Sequence, residues 1–195
     1  MIFHSIGLYV LLLLLATLIF FACEKEHGEL VFDNPNESNN SKNLLLNGGF
    51  EQNSIDPWYT FNVGDSVITT ELVTTGAIEG KNCLHIKILR RGLNIWDAGL
   101  EQRCILKKNK VYTFSAYIKS PNNLKVKLSL LPSVEPYIAY SEMMISAANT
   151  WQQYHITSRP MIQDVQSALV VFHFASDVGE FLVDDVRLYE EEYVP

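Results

Sequence analysis

Phe181-Leu182-Val183-Asp184-Asp185-Val186-Arg187-Leu188-Tyr189 closes the folded part of this chain, and Asn43-Leu44-Leu45-Leu46-Asn47-Gly48-Gly49-Phe50-Glu51 opens it. In the closing stretch, strand alternation places Leu182, Asp184, Val186 and Leu188 on one face. Asp184 then stands in an apolar row, where an unpaired carboxylate costs several kcal/mol. The expectation is a cation at Asp184, with Glu51, just past the glycine turn, as its second ligand. Asp185 falls on the opposite face.

Between these stretches the chain carries short β-rich runs at roughly ten-residue spacing, separated by turn signals. They are Val67–Thr74, Asn82–Leu89, Trp96–Ile105, Val111–Ser120, Lys125–Leu131, Trp151–Thr157, Ala168–Ala175 and Gly179–Tyr189. Separators such as Lys107-Lys108-Asn109-Lys110 and Pro121-Asn122-Asn123 break any longer pattern, and no 3.6-residue period appears after residue 22. The spacing predicts an all-β domain, an antiparallel β-sandwich of the jelly-roll kind.

Alternation also assigns faces. Tyr112, Phe114, Ala116 and Ile118 form one inward row, Val126, Leu128 and Leu130 a second, and Val170, Phe172 and Phe174 a third. Tyr117 and His173 are left outside, the latter with Leu169 and Val171, and they suggest a sheet surface with a use.

The chain has 195 residues, and its formal charge of −7 lies wholly outside the first 22. No basic patch opposes that charge, and such a surface repels nucleic acid and anionic lipid headgroups. Ile6 to Ala22 is a single apolar run ending at Cys23. It resembles a bacterial lipoprotein signal, with residues 1–22 removed and Cys23 lipidated. The alternative is an uncleaved anchor helix, since the run is near the roughly 20 residues that span a bilayer. Either reading implies an exported domain tethered to a membrane, at the outer membrane, the cell surface or in the periplasm. Residues 23–42, polar and rich in Asn, Glu and Ser, read as a flexible tether. The sandwich takes residues 43–190, and 191–195 form a tail.

Six pieces in order resemble the carbohydrate-binding modules of families 4, 9 and 22, which share a galactose-binding-like jelly roll. These are the opening Asn43–Glu51 stretch, Gly80 with Cys83-Leu84-His85-Ile86, Asn94-Ile95-Trp96-Asp97 with Leu100 and Gln102, Tyr112–Lys119, Trp151 with Tyr154, and Phe181–Leu188. The resemblance implies a structural calcium on Glu51 and Asp184 with nearby carbonyls, and oxygen ligands suit that hard cation. It also implies non-catalytic binding of an oligo- or polysaccharide, beside glycan-degrading enzymes or transporters. The alternatives are a structural or adhesion sandwich that binds a protein or cell-wall partner, and an accessory module of a glycoside hydrolase system.

Sugar faces stack on aromatic rings, and planar polar groups bind their hydroxyls. Trp96, Gln102, Tyr117 and His173 are the candidates, with Tyr137 and Tyr140 as rim aromatics; Trp58 and Trp151 read as core. No catalytic residue is expected. The carboxylates of Asp97, Glu101, Glu135, Glu142 and Asp164 show no pair by context, and no nucleophile motif accompanies them. Cys83 and Cys104 either bridge across a hairpin or pack as small core residues.

Overall fold

The computed structural model describes residues 42–192. Among them are ten strands: β1 (Tyr59–Asn62), β2 (Val67–Val73), β3 (Cys83–Arg90), β4 (Ala98–Leu106), β5 (Lys110–Lys119), β6 (Lys125–Pro132), β7 (Ser141–Ser146), β8 (Gln152–Thr157), β9 (Val165–His173) and β10 (Gly179–Glu192). A single 3-10 turn, Ile95–Asp97, precedes β4. No helix among the described residues is long and apolar enough to cross a membrane. The apolar run 6–22 and Cys23 lie outside the described residues.

The strands form two five-stranded antiparallel sheets, ordered β1-β4-β9-β6-β7 and β2-β3-β10-β5-β8. We call them the β9 sheet and the β10 sheet. The expected sandwich is present, and the inward rows read from alternation face each other across it. Tyr112, Phe114, Ala116, Ile118, Val126, Leu128, Leu130, Val170, Phe172 and Phe174 are all fully buried. Phe172 is the hub: its ring meets Phe114 edge-on at 5.1 Å, lies parallel to Phe174 at 5.9 Å and touches Trp58 at 6.2 Å. Such aromatic contacts add to the burial of apolar area that drives the fold.

The opening stretch is a strap across both sheets. Leu44 N–H donates to Leu188 O at 2.8 Å on β10. The Asn43 side chain receives Leu188 N–H at 3.0 Å and donates to Val186 O at 3.0 Å. Gly48 O accepts Val186 N–H at 2.9 Å. A Cβ on Gly48 would stand 2.0 Å from Val186 O, so the approach demands glycine.

The structure corrects two expectations and decides between the two alternatives left open for the cysteines. The first correction concerns β10. A bulge between Asp184 and Arg187, with Asp185 at φ 47°, breaks the two-residue period. Phe181 and Val183 face the core before it, and Val186 and Leu188 after it. Asp184 therefore points away from that row, opposite Tyr117 on β5. Cys83 and Cys104 are both buried free thiols, not a bridge. Their strands belong to different sheets, because the chain crosses the sandwich at the β3–β4 turn instead of folding back as a hairpin. Burial raises their thiol pKa values to about 11 and about 12. The second correction is that Trp151 is not core: it is half-buried, donates to Gly76 O at 2.9 Å and lies under the Lys119 ammonium at 4.8 Å. The runs read from sequence also omitted β1 and β7, the two edges of the β9 sheet, and β10 continues through Glu191 and Glu192.

Candidate functional site

Tyr117 and His173 do not share a surface. Tyr117 lies on the outer side of the β10 sheet and His173 on the outer side of the β9 sheet. Alternation tells inside from outside, but both sheets have an outside. Gln102 faces inward and is 4% exposed. Its amide oxygen accepts Leu46 N–H at 2.8 Å and its nitrogen donates to Leu46 O at 2.8 Å. That amide completes the strap. Tyr140 is half-buried and packs partly against the main core, and burial raises its phenol pKa. Tyr137 is exposed on the β6–β7 loop, and Trp96 is exposed on the 3-10 turn, off the strands of either sheet.

The outer side of the β9 sheet is unlike an ordinary solvated face. Registers across its strands give two rows. One runs Tyr59, Glu101, Val171, Ser129, Glu142; the next runs Phe61, Gly99, His173, Lys127, Met144. An apolar patch of Leu131, Leu169 and Val171 lies among them, with Phe61 and Ala139 packed on it. The β6–β7 loop brings Ala139 there and is tied back by Tyr140 N–H to Leu130 O at 2.8 Å.

Beside that patch, polar groups lack protein partners. Ser129 Oγ and His173 Nδ1 are buried without a hydrogen bond among the described residues. Buried polar atoms left alone cost free energy, and such exceptions call for a partner, an ordered water or a bound group. Glu101 is half-buried, and burial raises its carboxyl pKa, with Arg103 opposing. His173 goes the other way: burial, then the neighbouring Lys127 charge, lowers its ring to about 4, with Glu142 opposing. Lys127 is held by Glu142 at 2.6 Å, and Arg103 donates to Ser167 Oγ at 2.7 Å. A third orphan, Ser115 Oγ, sits alone on the β10 sheet between Arg187 and His155 with no apolar patch beside it.

Glu101 and Glu142 share a row but are three strand steps apart, about 14 Å between backbones at 4.8 Å per step. That exceeds the roughly 5–9.5 Å carboxyl separations of glycosidase pairs.

The expected calcium ligands converge on the segment before β3. Asp184 Oδ2 accepts Ile78 N–H at 2.8 Å and Glu79 N–H at 3.2 Å, and Oδ1 accepts Asp185 N–H at 2.7 Å. Burial raises the Asp184 pKa while these amides pull it down. Glu51 Oε1 accepts Lys81 N–H at 2.7 Å and Asn82 N–H at 2.8 Å, which lower its pKa. Amides thus serve both carboxylates, and no group of three acidic, His or Cys side chains gathers for a metal among the described residues. The donor chemistry still fits a hard cation: Glu51 Oε2 carries no hydrogen bond among the described residues. A Cβ on Gly80 would meet Glu51 Oε1 at 2.3 Å, so glycine makes the cradle for that carboxylate.

A family described as carbohydrate binding domain matches residues 42–178. Among solved structures, one described as "CBM4 structure and function" is 18% identical with a TM-score of 0.63, covering 75% of this chain and 99% of that one. TmCBM61 in complex with β-1,4-galactotriose is 18% identical with a TM-score of 0.59, covering 77% of this chain and 100% of that one. A cyclase from Fischerella sp. TAU is 15% identical with a TM-score of 0.59, covering 80% and 100%. At such identities the likeness is one of fold. No curated protein sequence matches the chain.

Proposed function

The chain belongs to the carbohydrate binding domain family, and from that premise we propose that it binds an oligo- or polysaccharide, without catalysis, on the outer side of the β9 sheet. The observation that carries this location is the pairing of apolar patch and partnerless polar atoms there. A pyranose is itself amphipathic, with C–H faces and a rim of hydroxyls. Phe61 and the exposed Tyr59 supply rings, while the half-buried Glu101 and the His173 imidazole supply polar groups for the hydroxyls. The spacing of Glu101 and Glu142 favours binding over glycoside hydrolysis.

Two further parts belong to the same reading. Calcium, held by Glu51, Asp184 and neighbouring carbonyls, would supply positive charge that ties the opening strap to the segment before β3. The lipid on Cys23 would tether the domain to a membrane, where captured glycan is passed to degrading enzymes or transporters.

The test is calorimetry against a glycan array's best ligand. Glu101→Gln and Tyr59→Ala should each weaken binding about tenfold, roughly 1.4 kcal/mol, with little change in Tm. Tyr117→Ala, on the other sheet, should leave affinity unchanged; if it alone abolishes binding, the site is on the β10 sheet. For calcium, a chelator should lower Tm and added calcium restore it, and Asp184→Ala should remove the response. No chelator effect on the wild-type chain would mean that the amides alone hold both carboxylates.

A further inference from the structure

Building on the glycan site proposed above, we propose that Phe61 is a positioning residue: admitted across β4 by Gly99, its ring holds the His173 imidazole in one orientation and keeps water from it, so that a neutral imidazole is presented to ligand hydroxyls.

The row Phe61, Gly99, His173 is the basis. A Cβ on Gly99 would stand 2.6 Å from Phe61 Cζ and 2.7 Å from Cε1. Glycine therefore lets the ring of the edge strand β1 lie over β4. There it meets the next member of the row: the Phe61 and His173 rings are 6.2 Å apart at 78°, an edge-on contact. Among the described residues no hydrogen bond fixes the imidazole's rotation: Nδ1 has none, and the residue is 8% exposed. Orientation by packing leaves a ring nitrogen unspent, whereas orientation by a protein hydrogen bond would consume it. A neutral imidazole carries one N–H and one lone pair; with Nδ1 buried, Nε2 is the nitrogen left to meet a sugar hydroxyl.

The charges around this ring come from several strands. Lys127 on β6 opposes its protonation, Glu142 on β7 is occupied by Lys127, and Glu101 on β4 lies one row away. Tyr59 on β1 is opposite Glu101, and on β9 itself the next residue on this face is the apolar Val171. Removing the Phe61 ring opens the imidazole to water and weakens the burial that keeps it neutral.

The experiment is an NMR titration of the His173 ring nitrogens in the full chain, held in detergent micelles. Wild type should titrate near pH 4 as a single tautomer. Phe61→Ala should move the midpoint toward the ordinary 6.5 or so and mix the tautomers, and Phe61→Tyr should restore both. Gly99→Ala should act like Phe61→Ala, but its Cβ would also lie 2.4 Å from Phe172 O, so loss of folding is a separate outcome for that variant. Phe61→Ala, on a four-residue edge strand, carries the decision. An unchanged midpoint and tautomer in Phe61→Ala overturns the proposal. Binding is read with β-1,4-galactotriose and a xylan oligosaccharide as probes, with affinity expected to fall about tenfold in Phe61→Ala. If Phe61→Ala shifts the titration but no probe on a glycan array moves the wild-type His173 signals, the glycan site fails and the ligand role falls with it. If the glycan binds Phe61→Ala as tightly as wild type, the site stands and the positioning role does not.

Discussion

His173 shows how one buried ring ties stability to pH. Folded, it stays neutral to about pH 4; an ordinary ring takes a proton near 6.5. Between those values the unfolded chain binds more protons, so stability rises with pH there. Its contribution is present above about pH 6.5 and is lost as pH falls through 4, with an amplitude on the order of 3 kcal/mol. Urea unfolding at pH 7 and pH 4.5 should show this difference, and His173→Gln should shrink it by that amount. An equal pH effect in both proteins would place the sensitivity elsewhere. The buried imidazole was legible as an outward-facing residue on a strand, but its environment was not, since Phe61 and Ala139 come from elements far away in sequence. Asp184 was misread for a different reason. A single extra residue at the bulge reverses the face of everything after it, and Asp-Asp-Val carries no glycine to announce the break.

At the level of elements, the inward strand rows were read correctly because period-two alternation is strong where both faces are not alike. Edge strands β1 and β7 were missed because they are short and mostly exposed, and so lack an apolar row. Gln102 belongs to this scale. It lies between Leu100 and Cys104 on the inward side of β4, and that position in the alternation already marks it as a buried amide needing partners. Those partners, the N–H and carbonyl of Leu46, join β4 to the strap. Gln102→Ala should leave both unpaired and cost about 1–3 kcal/mol, seen as a lower urea midpoint. Gln102→Glu should be intermediate, because it keeps the acceptor for Leu46 N–H and loses the donor. Wild-type stability in Gln102→Ala would show that water replaces the amide.

For the molecule as a whole, two sheets share one apolar interior that holds Cys104, while Cys83 is buried outside it, beside Asp184 and Lys119. Stability should therefore be indifferent to reductant. Tm should agree with and without dithiothreitol, and thiol reagents should label Cys83 and Cys104 only as the domain unfolds, because burial keeps both thiols protonated. A reductant-sensitive Tm would require a covalent link between sheets that the free thiols do not provide.

The strap has a mechanical meaning as well. Tension entering the chain at residue 42 arrives first at Asn43 and Leu44, whose bonds run to Val186 and Leu188 on β10. The next bonds along the same segment join Leu46 to Gln102 on β4, and then Gly48 to Val186. A pull at that end is thus divided between the two sheets before any ladder within either one is loaded. A domain held at its N-terminal end and tugged by a long polymer would yield at this seam last if the bonds share the load, and residue by residue from Asn43 if they do not.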